Sequence, residues 1–383
     1  MLTVLSLAAL LVWLVLFFLW ANFWRIWESD ADKVTSPPPG QWPRVAAVIP
    51  ARNEAPSIAA IVRALAAQEY PGEFSVLIVD DHSDDGTANF ARKAAAESGA
   101  AYQVEILSAR PLAAGWTGKL WALNGGVAKA ATSSPEFFWF TDADVVHAPD
   151  TLRRIVSRAE HQDLDLTSLM VLLESRTLPE RFLIPAFLYF FLMLYPPNWI
   201  ANPRARTAGA AGGCILLRRS ALERIGGLAA IRNEVIDDCA LARAVKRAGG
   251  KIRMGLTRSS RSVRSYSGFA EIRDMIARTA FTQLHHSAVQ LLGTLLGLAL
   301  TFLAPVILTL ASSTRVWLPA LLAWCLMTAS FLPTIVFYRL SPLWTLLLPF
   351  SALFYSYATL LSAIRFWLGR GGQWKGRSQA AKV

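Results

Sequence analysis

Long apolar runs near both ends of the chain predict membrane helices. Residues 2–20 contain no charged side chain, and their number is close to the roughly 20 residues that a helix needs to cross the hydrocarbon core. Three runs toward the C-terminus, 289–310, 316–336 and 343–367, are also long enough to span. We therefore expect a transmembrane anchor over 1–24, a linker over 25–43, C-terminal transmembrane or re-entrant helices over 286–368 and a basic tail over 369–383.

A further apolar and aromatic stretch, 182–199, has a different pattern. It is interrupted by Pro185 and by Pro196 and Pro197. Proline removes a backbone hydrogen bond and disturbs a helix interior. We therefore predict a helix that lies in the membrane interface at 182–199, in preference to a span.

Between these segments, in a domain predicted over 44–285, short apolar runs alternate with helical patterns. Uninterrupted apolar runs are typical of strands that are buried on both faces. The predicted strands are 45–49, 74–79, 104–107 and 137–140, and the predicted helices are 56–68, 87–98 and 119–131. This alternation predicts an α/β, Rossmann-like fold with a mostly parallel sheet. Ligands of such sheets bind beyond the carboxyl ends of the strands.

Composition supports a membrane protein with its globular part in the cytoplasm. A hydrophobic content of 54% and a mean hydropathy of +0.37 are high for a chain without lipid contacts. Arg25, Lys33 and Arg44 follow the first apolar run, and positive charge favours the cytoplasmic side. The alternative for that run, a cleaved secretory signal, would need a basic start and a small-residue cleavage site. We predict a multi-pass protein of the inner (cytoplasmic) membrane.

Charge and cysteine usage exclude other classes. The net charge of +11 has no basic run interleaved with aromatic residues, so we expect no nucleic-acid partner; anionic lipid or a diphosphate substrate explains the charge. Cys214, Cys239 and Cys325 are scattered without metal-ligand spacing. An odd count also argues against a disulfide framework.

Acidic side chains follow two of the predicted strands. Asp142 and Asp144 come directly after 137–140 and are positioned to share one Mg²⁺ or Mn²⁺ with a diphosphate. The alternative for Asp144 is capping of the next helix. Asp80 and Asp81 follow 74–79 and are suited to accept hydrogen bonds from a nucleobase or ribose. The chain has neither a Gly-x-Gly-x-x-Gly fingerprint nor a Walker lysine motif.

Taken together, the motifs resemble those of the family-2 glycosyltransferases, which have the GT-A fold. The resemblance runs from about Val45 to Gln283. It rests on Pro50-Ala51-Arg52-Asn53-Glu54, on the segment from Val79 to Thr87, on Gly118-Lys119 with Ala122-Leu123-Asn124, and on Asp142-Ala143-Asp144. The anchor, the hydrophobic C-terminal part and Ala277-Arg278-Thr279-Ala280-Phe281-Thr282-Gln283 also resemble the bacterial hopene-associated glycosyltransferases.

The resemblance implies roles for residues along the chain. Glu54 and Asp81 would contact the nucleoside, and Lys119 with a metal on Asp142 and Asp144 would hold the diphosphate. A later acidic pair would supply the general base. That pair is Asp237-Asp238 here, where relatives have Glu-Asp, and Asp238 is the candidate base. The alternative for the pair is a helix start, where acidic residues are favoured.

Arg278 lies where processive relatives carry Gln-x-x-Arg-Trp. It would steady the departing diphosphate, or it is an arginine that extends toward the membrane surface. The tryptophan is missing here, which favours one transfer per acceptor.

The resemblance therefore implies an inverting, non-processive enzyme that uses a divalent metal. It would transfer a sugar from a nucleotide-diphosphate donor, with UDP favoured, to a membrane lipid acceptor related to hopanoids. Two alternatives remain at this stage: a polyprenyl-phosphate sugar transferase, and a catalytically silent nucleotide-binding membrane scaffold.

Overall fold

The computed structural model describes residues 1–26, 42–101, 103–311 and 314–370, together with two short strands near the C-terminus. Most of the linker predicted over 25–43 and of the basic tail predicted over 369–383 lies outside the described residues. The described residues form two compact units. One contains the described residues within 1–26, 175–198 and 265–370; the other contains those within 42–174 and 199–264, with the two short C-terminal strands. We refer to them as the helical unit and the sheet unit.

The α-helices, in chain order, have the following bounds: α1 Leu2–Leu14, α2 Ala55–Ala66, α3 Thr87–Glu97, α4 Gly118–Ala130, α5 Thr151–His161, α6 Leu178–Leu194, α7 Pro197–Ala201, α8 Arg219–Arg224, α9 Asp237–Arg247, α10 Phe269–Ala277, α11 Ala280–Gln283, α12 Ala288–Leu298, α13 Ala304–Ala311, α14 Thr314–Phe337 and α15 Leu348–Trp367. The strands are β1 Val45–Ala51, β2 Phe74–Asp80, β3 Val104–Ser108, β4 Phe137–Phe140, β5 Val145–His147, β6 Leu166–Leu172, β7 Ile215–Arg218, β8 Ile252–Ser262, β9 Gln373–Trp374 and β10 Arg377–Ser378.

The sheet unit is built on a mixed sheet of eight strands. Their order is β3-β2-β1-β4-β7-β6-β8-β5. The half containing β3, β2, β1 and β4 is parallel throughout, as the sequence predicts, and every residue of β1 and β4 is buried. In the other half, β6 is parallel to β8, whereas β7 is antiparallel to both of its neighbours and β5 is antiparallel to β8. The predicted parallel pairing is therefore confirmed for the first half, and the sheet as a whole is mixed.

Helix α4 approaches the sheet closely at a glycine. It packs on β1 and β2, and a Cβ at Gly126 would overlap Cγ1 of Val48 and lie 2.9 Å from Cγ2 of Val79. The adjacent Gly125, by contrast, has nothing within 4 Å of its Cβ position. Gly126 is thus required by packing, and it brings the start of α4 close to the carboxyl ends of β1 and β2.

Replacing Gly126 with alanine should destabilise the protein. The added methyl group overpacks a close-packed interface, which typically costs about 1–3 kcal/mol, and thermal unfolding in detergent should show a lower Tm. Gly125→Ala is the matched control; alanine is favoured over glycine in a helix by up to about 1 kcal/mol, so its Tm should stay equal or rise. Equal Tm values for the two variants would contradict the close approach.

The helical unit contains helices with the length and composition of membrane spans. Among the described residues, five such helices occur: Leu2–Leu19, Leu178–Ala201, Ala288–Ala311, Arg315–Phe337 and Pro342–Trp367. Four of them coincide with the runs that the sequence predicts as membrane helices. The fifth contains the stretch predicted as interfacial, 182–199, and by length and composition it also qualifies as a span.

The prediction that Pro185 interrupts this stretch is wrong, because α6 continues through it to Leu194. The hydroxyl of Ser351 donates to the carbonyl of Phe182 at 3.1 Å, and the hydroxyl of Tyr355 donates to that of Leu183 at 3.1 Å. Proline at 185 cannot donate to the carbonyl of Arg181. The two bonds from α15 reach the adjacent carbonyls and tie α6 to α15 beside the proline.

Candidate active site

Two loops at the carboxyl end of the sheet are tied together by hydrogen bonds. One follows β1 and the other follows β2, at the edge where ligands bind to α/β sheets. The bonds run from the first loop to side chains of the second: Asn53 N to Ser83 Oγ at 2.9 Å, Glu54 N to Thr87 Oγ1 at 2.8 Å, and Ala55 N to Asp85 Oδ2 at 2.9 Å. These bonds fix the backbone of Glu54 against the loop that follows β2.

Asp80 and Asp81 have different surroundings. Asp81 is almost completely buried, and its carboxylate lies 3.6 Å from Nη1 of Arg52. Asp80 is also buried, and its Oδ1 has no hydrogen-bond partner, while Oδ2 accepts from the backbone N–H of Ser83 at 3.3 Å. Buried acceptors are normally satisfied, so Asp80 Oδ1 is an acceptor suited to a ligand donor at this edge.

The loop after β1 also contacts the loop after β4. Ser57, in the first turn of α2, donates its hydroxyl to the carbonyl of Ala143 at 2.9 Å and lies 3.4 Å from Oε2 of Glu54. Ala143 is the central residue between Asp142 and Asp144. The predicted nucleoside and metal residues are therefore joined through one serine.

Four charged side chains converge in one cleft. Lys119 lies in the first turn of α4, and its Nζ is 3.1 Å from Oδ1 of Asp142 and 3.2 Å from Oδ2 of Asp237. Asp238 lines the same cleft. The first turn of α4 is fixed by Thr117, whose side chain accepts from the backbone N–H of Leu120. Residues that are far apart in the sequence thus form a single site of three carboxylates and one ammonium group.

Asp238 is held firmly and has an unusual pKa. Its Oδ2 accepts from the backbone N–H of Gly212 at 2.9 Å, and its Oδ1 accepts from that of Cys239 at 2.7 Å. Burial, followed by the neighbouring Asp237 charge, raises the pKa of Asp238 to about 6, although Lys119 and the two N–H groups act in the opposite direction. A carboxylate with a pKa near the working pH is suited to accept a proton from a hydroxyl group.

Lys119 stays charged in this site. Burial alone would lower its pKa, but the attraction of Asp142, Asp237 and Asp238 outweighs burial and raises the pKa above its usual range. The lysine therefore supplies a permanent positive charge beside the acidic residues, as an anionic leaving group requires.

Gly212 marks the point where these side chains meet. A Cβ at this position would lie 3.4 Å from Nζ of Lys119, 3.5 Å from Oδ2 of Asp238 and 3.7 Å from Oδ2 of Asp142. Gly212 therefore packs against three of the four charged side chains of the cleft.

The acidic residues are chemically suited to a divalent metal. Three carboxylates beside one ammonium group leave an excess of negative charge, and hard carboxylate oxygens are the ligands that Mg²⁺ prefers. In the described part of the chain, no group of three or more His, Cys, Asp or Glu residues is arranged to hold a metal. A three-residue cluster is not required, because Mg²⁺ at nucleotide sites is bound by one or two carboxylates together with substrate phosphates and water.

Of the two predicted metal ligands, Asp142 and Asp144, only Asp142 is among the residues that line the cleft. Asp144 is partly buried, and its carbonyl accepts from the N–H of Val263 at 2.7 Å. Arg278 directly follows α10 and belongs to the helical unit; its predicted contact with a diphosphate remains a prediction.

Comparisons with known proteins identify the family and the fold. The sequence profile of the family described as glycosyltransferase like family 2 matches residues 43–281, more than half of the chain. No curated protein matches the chain.

Among solved structures, the chain is similar to the mannosyltransferase PcManGT from Pyrobaculum calidifontis, solved with GDP-Man and Mn²⁺. The TM-score is 0.60 at 21% identity, with 95% of this chain and 99% of that chain covered. It also matches S. aureus TarS 1-349 in complex with UDP-GlcNAc, with a TM-score of 0.40, 14% identity, and 87% and 95% of the two chains covered. The chain therefore belongs to glycosyltransferase family 2, and it is a glycosyltransferase with a GT-A-like mixed α/β sheet.

Proposed function

We propose that the enzyme transfers one sugar from a nucleoside diphosphate donor, with UDP favoured, to a hydroxyl group of a membrane lipid, with inversion at the anomeric carbon. A hopanoid-related lipid is the acceptor that the subgroup resemblance suggests. The observation that carries the proposal is the cleft in which Lys119, Asp142, Asp237 and Asp238 meet. It combines a base of raised pKa with a fixed positive charge at the ligand-binding edge of the sheet.

In the proposed reaction, the acceptor oxygen attacks the anomeric carbon while Asp238 removes its proton. The bond from that carbon to the diphosphate oxygen breaks, and the nucleoside diphosphate leaves with the electron pair. Lys119 stabilises the charge that develops on the leaving group. Asp237 stays beside Asp238 and helps to keep its pKa high.

A divalent metal fits the donor side of this site. Asp142 and Asp144 would hold it together with the diphosphate, and when bound it would neutralise charge on the leaving group. The similar mannosyltransferase was solved with Mn²⁺ and GDP-Man. This supports a metal and is a reason to test GDP-sugars as well as UDP-sugars.

We assign Glu54, Asp80 and Asp81 to binding of the nucleoside. The Oδ1 of Asp80, which has no hydrogen-bond partner, supports this assignment.

A lipid acceptor is supported by the helices of the helical unit. Five of them are long and apolar enough to cross a bilayer in the part of the chain that the structure describes. We propose that the protein resides in the inner membrane with the sheet unit facing the cytoplasm.

We also propose a role for Arg278, which directly follows α10. Its guanidinium group would steady the departing diphosphate.

The proposal is tested by donor turnover in purified protein. In detergent, a panel of UDP- and GDP-sugars with Mg²⁺ or Mn²⁺ should release the matching nucleoside diphosphate, and EDTA should abolish the release. Asp144→Ala and Asp142→Ala should each lower it by at least about 100-fold, since charge stabilisation of the leaving group is usually the largest contribution to such a step.

Asp163→Ala is the control for these variants. Asp163 is an exposed residue of the same unit that pairs with Lys251, so its replacement should leave turnover unchanged. Absence of both metal-dependent release and metal-dependent nucleotide binding would contradict the proposed function. Binding without turnover, with lipid extracts supplied as acceptors, would favour a silent scaffold.

A further inference from the structure

Three buried polar side chains form a hydrogen-bonded relay beneath the cleft. Thr141, His147 and Ser260 are each at most 2% exposed. The Thr141 Oγ1 lies 2.7 Å from Nε2 of His147, and Nδ1 of His147 lies 2.8 Å from Oγ of Ser260. Thr141 also donates to the carbonyl of Gly213 at 2.9 Å. The proposed roles of Asp142 and Asp238 do not account for this relay.

The protons of the relay can be assigned from its connections. A hydroxyl group has a single proton to donate, and that of Thr141 goes to the Gly213 carbonyl. Nε2 of His147 must therefore carry hydrogen and donate to Thr141. Burial lowers the pKa of His147 to about 3, so the ring is neutral and Nδ1 accepts from Ser260.

Within the relay, Thr141 joins two backbone segments that line the cleft. Thr141 directly precedes Asp142, and Gly213 directly follows Gly212, whose N–H binds Asp238 at 2.9 Å. Gly213 has little room to move, because a Cβ there would lie 3.0 Å from Cγ2 of Val171 and 3.3 Å from Cγ2 of Val145. The Thr141 hydroxyl therefore connects the backbone that carries Asp142 to the backbone that holds Asp238, and His147, which bonds to the same oxygen, fixes its orientation.

A second bond strengthens the same connection. Nε1 of Trp139, in β4, donates to Sγ of Cys214 at 3.3 Å, and the Trp139 ring lies 4.6 Å from that of His147. His147 on β5 pairs directly with Ser260 on β8, so the relay is anchored in the sheet. Such buried networks, when every member is satisfied, rigidify the structure around them.

We propose that Thr141 and His147 are positioning residues that hold the general base Asp238 in register with the donor-side carboxylate Asp142. This inference rests on the proposed roles of those two aspartates. A shift of about 1 Å between reacting groups can lower a rate by about 100-fold, so the relay acts on the chemical step and leaves donor binding largely unchanged.

The test compares variants of Thr141 that remove or keep its hydroxyl group. Using release of UDP or GDP from the panel donor with the highest turnover, Thr141→Val should lower kcat by about 10- to 100-fold and change the donor KM by less than about 3-fold. Thr141→Ser, which keeps the hydroxyl, should restore most of kcat. His147→Leu should resemble Thr141→Val, and the double variant should lose no more than either single one, because both residues act through one connection.

Thr167→Val is the matched control. Thr167 lies in β6 of the same sheet and is buried, but its hydroxyl has no hydrogen-bond partner, so this variant should keep kcat. Unchanged kcat in Thr141→Val, or equal losses in the valine and serine variants, would overturn the inference. If Asp238→Asn abolishes turnover while Thr141→Val does not, the proposed function stands and the relay falls.

A measurement independent of turnover tests the relay directly. In full-length protein labelled with ¹⁵N-histidine, long-range ¹H–¹⁵N spectra distinguish the two neutral tautomers of each ring. His147, assigned from the spectrum of the His147→Leu variant, should be neutral with hydrogen on Nε2 at pH 7. Hydrogen on Nδ1, or a doubly protonated ring, would overturn the inference even if no donor in the panel is turned over.

Discussion

Replacing Asp238 with asparagine should lower kcat for sugar transfer to a hydroxyl acceptor by about 100- to 10,000-fold, the usual contribution of a general base. Asparagine cannot accept the proton that the acceptor loses. The wild-type kcat/KM should rise with pH and level off above about 6, because the carboxylate must be deprotonated and its pKa lies near that value. The residual activity of Asp238→Asn should lack this rise. Steady-state rates between pH 4.5 and 8 would measure both effects.

Two further measurements make this result specific to the base. Both carboxylate oxygens of Asp238 accept backbone N–H groups, so an amide disturbs one of these bonds, and nucleotide affinity must be measured to confirm that the cleft is intact. Asp163→Asn, at the exposed ion pair with Lys251, controls for loss of a carboxylate in general. A variant that keeps more than about a tenth of the wild-type kcat on a hydroxyl acceptor would exclude Asp238 as the base.

Asp238→Asn also distinguishes the two hypotheses for the acceptor, a lipid hydroxyl group and a polyprenyl phosphate. A lipid phosphate is already ionised and needs no base, so transfer to a polyprenyl phosphate should survive Asp238→Asn with a modest loss. Transfer to a hydroxyl group should not. A small effect on phosphate acceptors, together with no activity toward hydroxyl lipids in the wild type, would therefore identify the polyprenyl-phosphate reaction.

The first half of the sheet could be predicted from sequence because its strands are buried on both faces. Their apolar runs are continuous, and the helices between them carry clear amphipathic patterns, so predicted and observed bounds differ by no more than two residues at either end. Since the carboxyl ends of parallel strands meet at one edge, the side chains after β1, β2 and β4 could be placed together without coordinates.

The second half lacked such a signal. Strand β5 has only three residues, too few to show a period, and β7 is a four-residue strand that continues directly into α8. Strand β8 carries Arg253, Arg258 and Arg261, and its sequence reads as a polar segment. The antiparallel pairings that these strands make could not be expected from a pattern of alternating strands and helices.

Motifs and a resemblance predict Lys119, Asp142, Asp237 and Asp238 as site residues. The structure places all four in one cleft, and their roles there remain predictions. Their mutual distances depend on the Gly212 backbone and on the relay through Thr141 and His147. A lone histidine three residues after an Asp-x-Asp carries no sequence signal of that role, because the residues that it contacts come from distant segments.

Replacing Lys119 with methionine should be nearly as damaging as loss of the base. The variant removes the cation that lies 3.1 Å from Asp142 and 3.2 Å from Asp237, and kcat/KM for the donor should fall by about 100- to 1,000-fold, as when a preorganised electrostatic group is removed. Lys119 also lowers the pKa of Asp238. The rise in kcat/KM with pH should therefore move above pH 6 in the variant. Looser folding alone would expose Asp238, lower its pKa and move the rise toward lower pH.

Lys129→Met, in the same helix, gives the comparison for this prediction. Lys129 is about half exposed and pairs with Glu105 on the surface, and such pairs contribute at most about 1 kcal/mol, so that variant should retain wild-type kinetics. A Lys119→Met enzyme with unchanged kcat/KM would mean that the diphosphate is held elsewhere. A lower kcat/KM with an unshifted pH profile would mean that Lys119 binds the donor without acting on Asp238. A loss together with an upward shift would show that one ammonium group serves both the leaving group and the base, as the geometry of the four side chains implies.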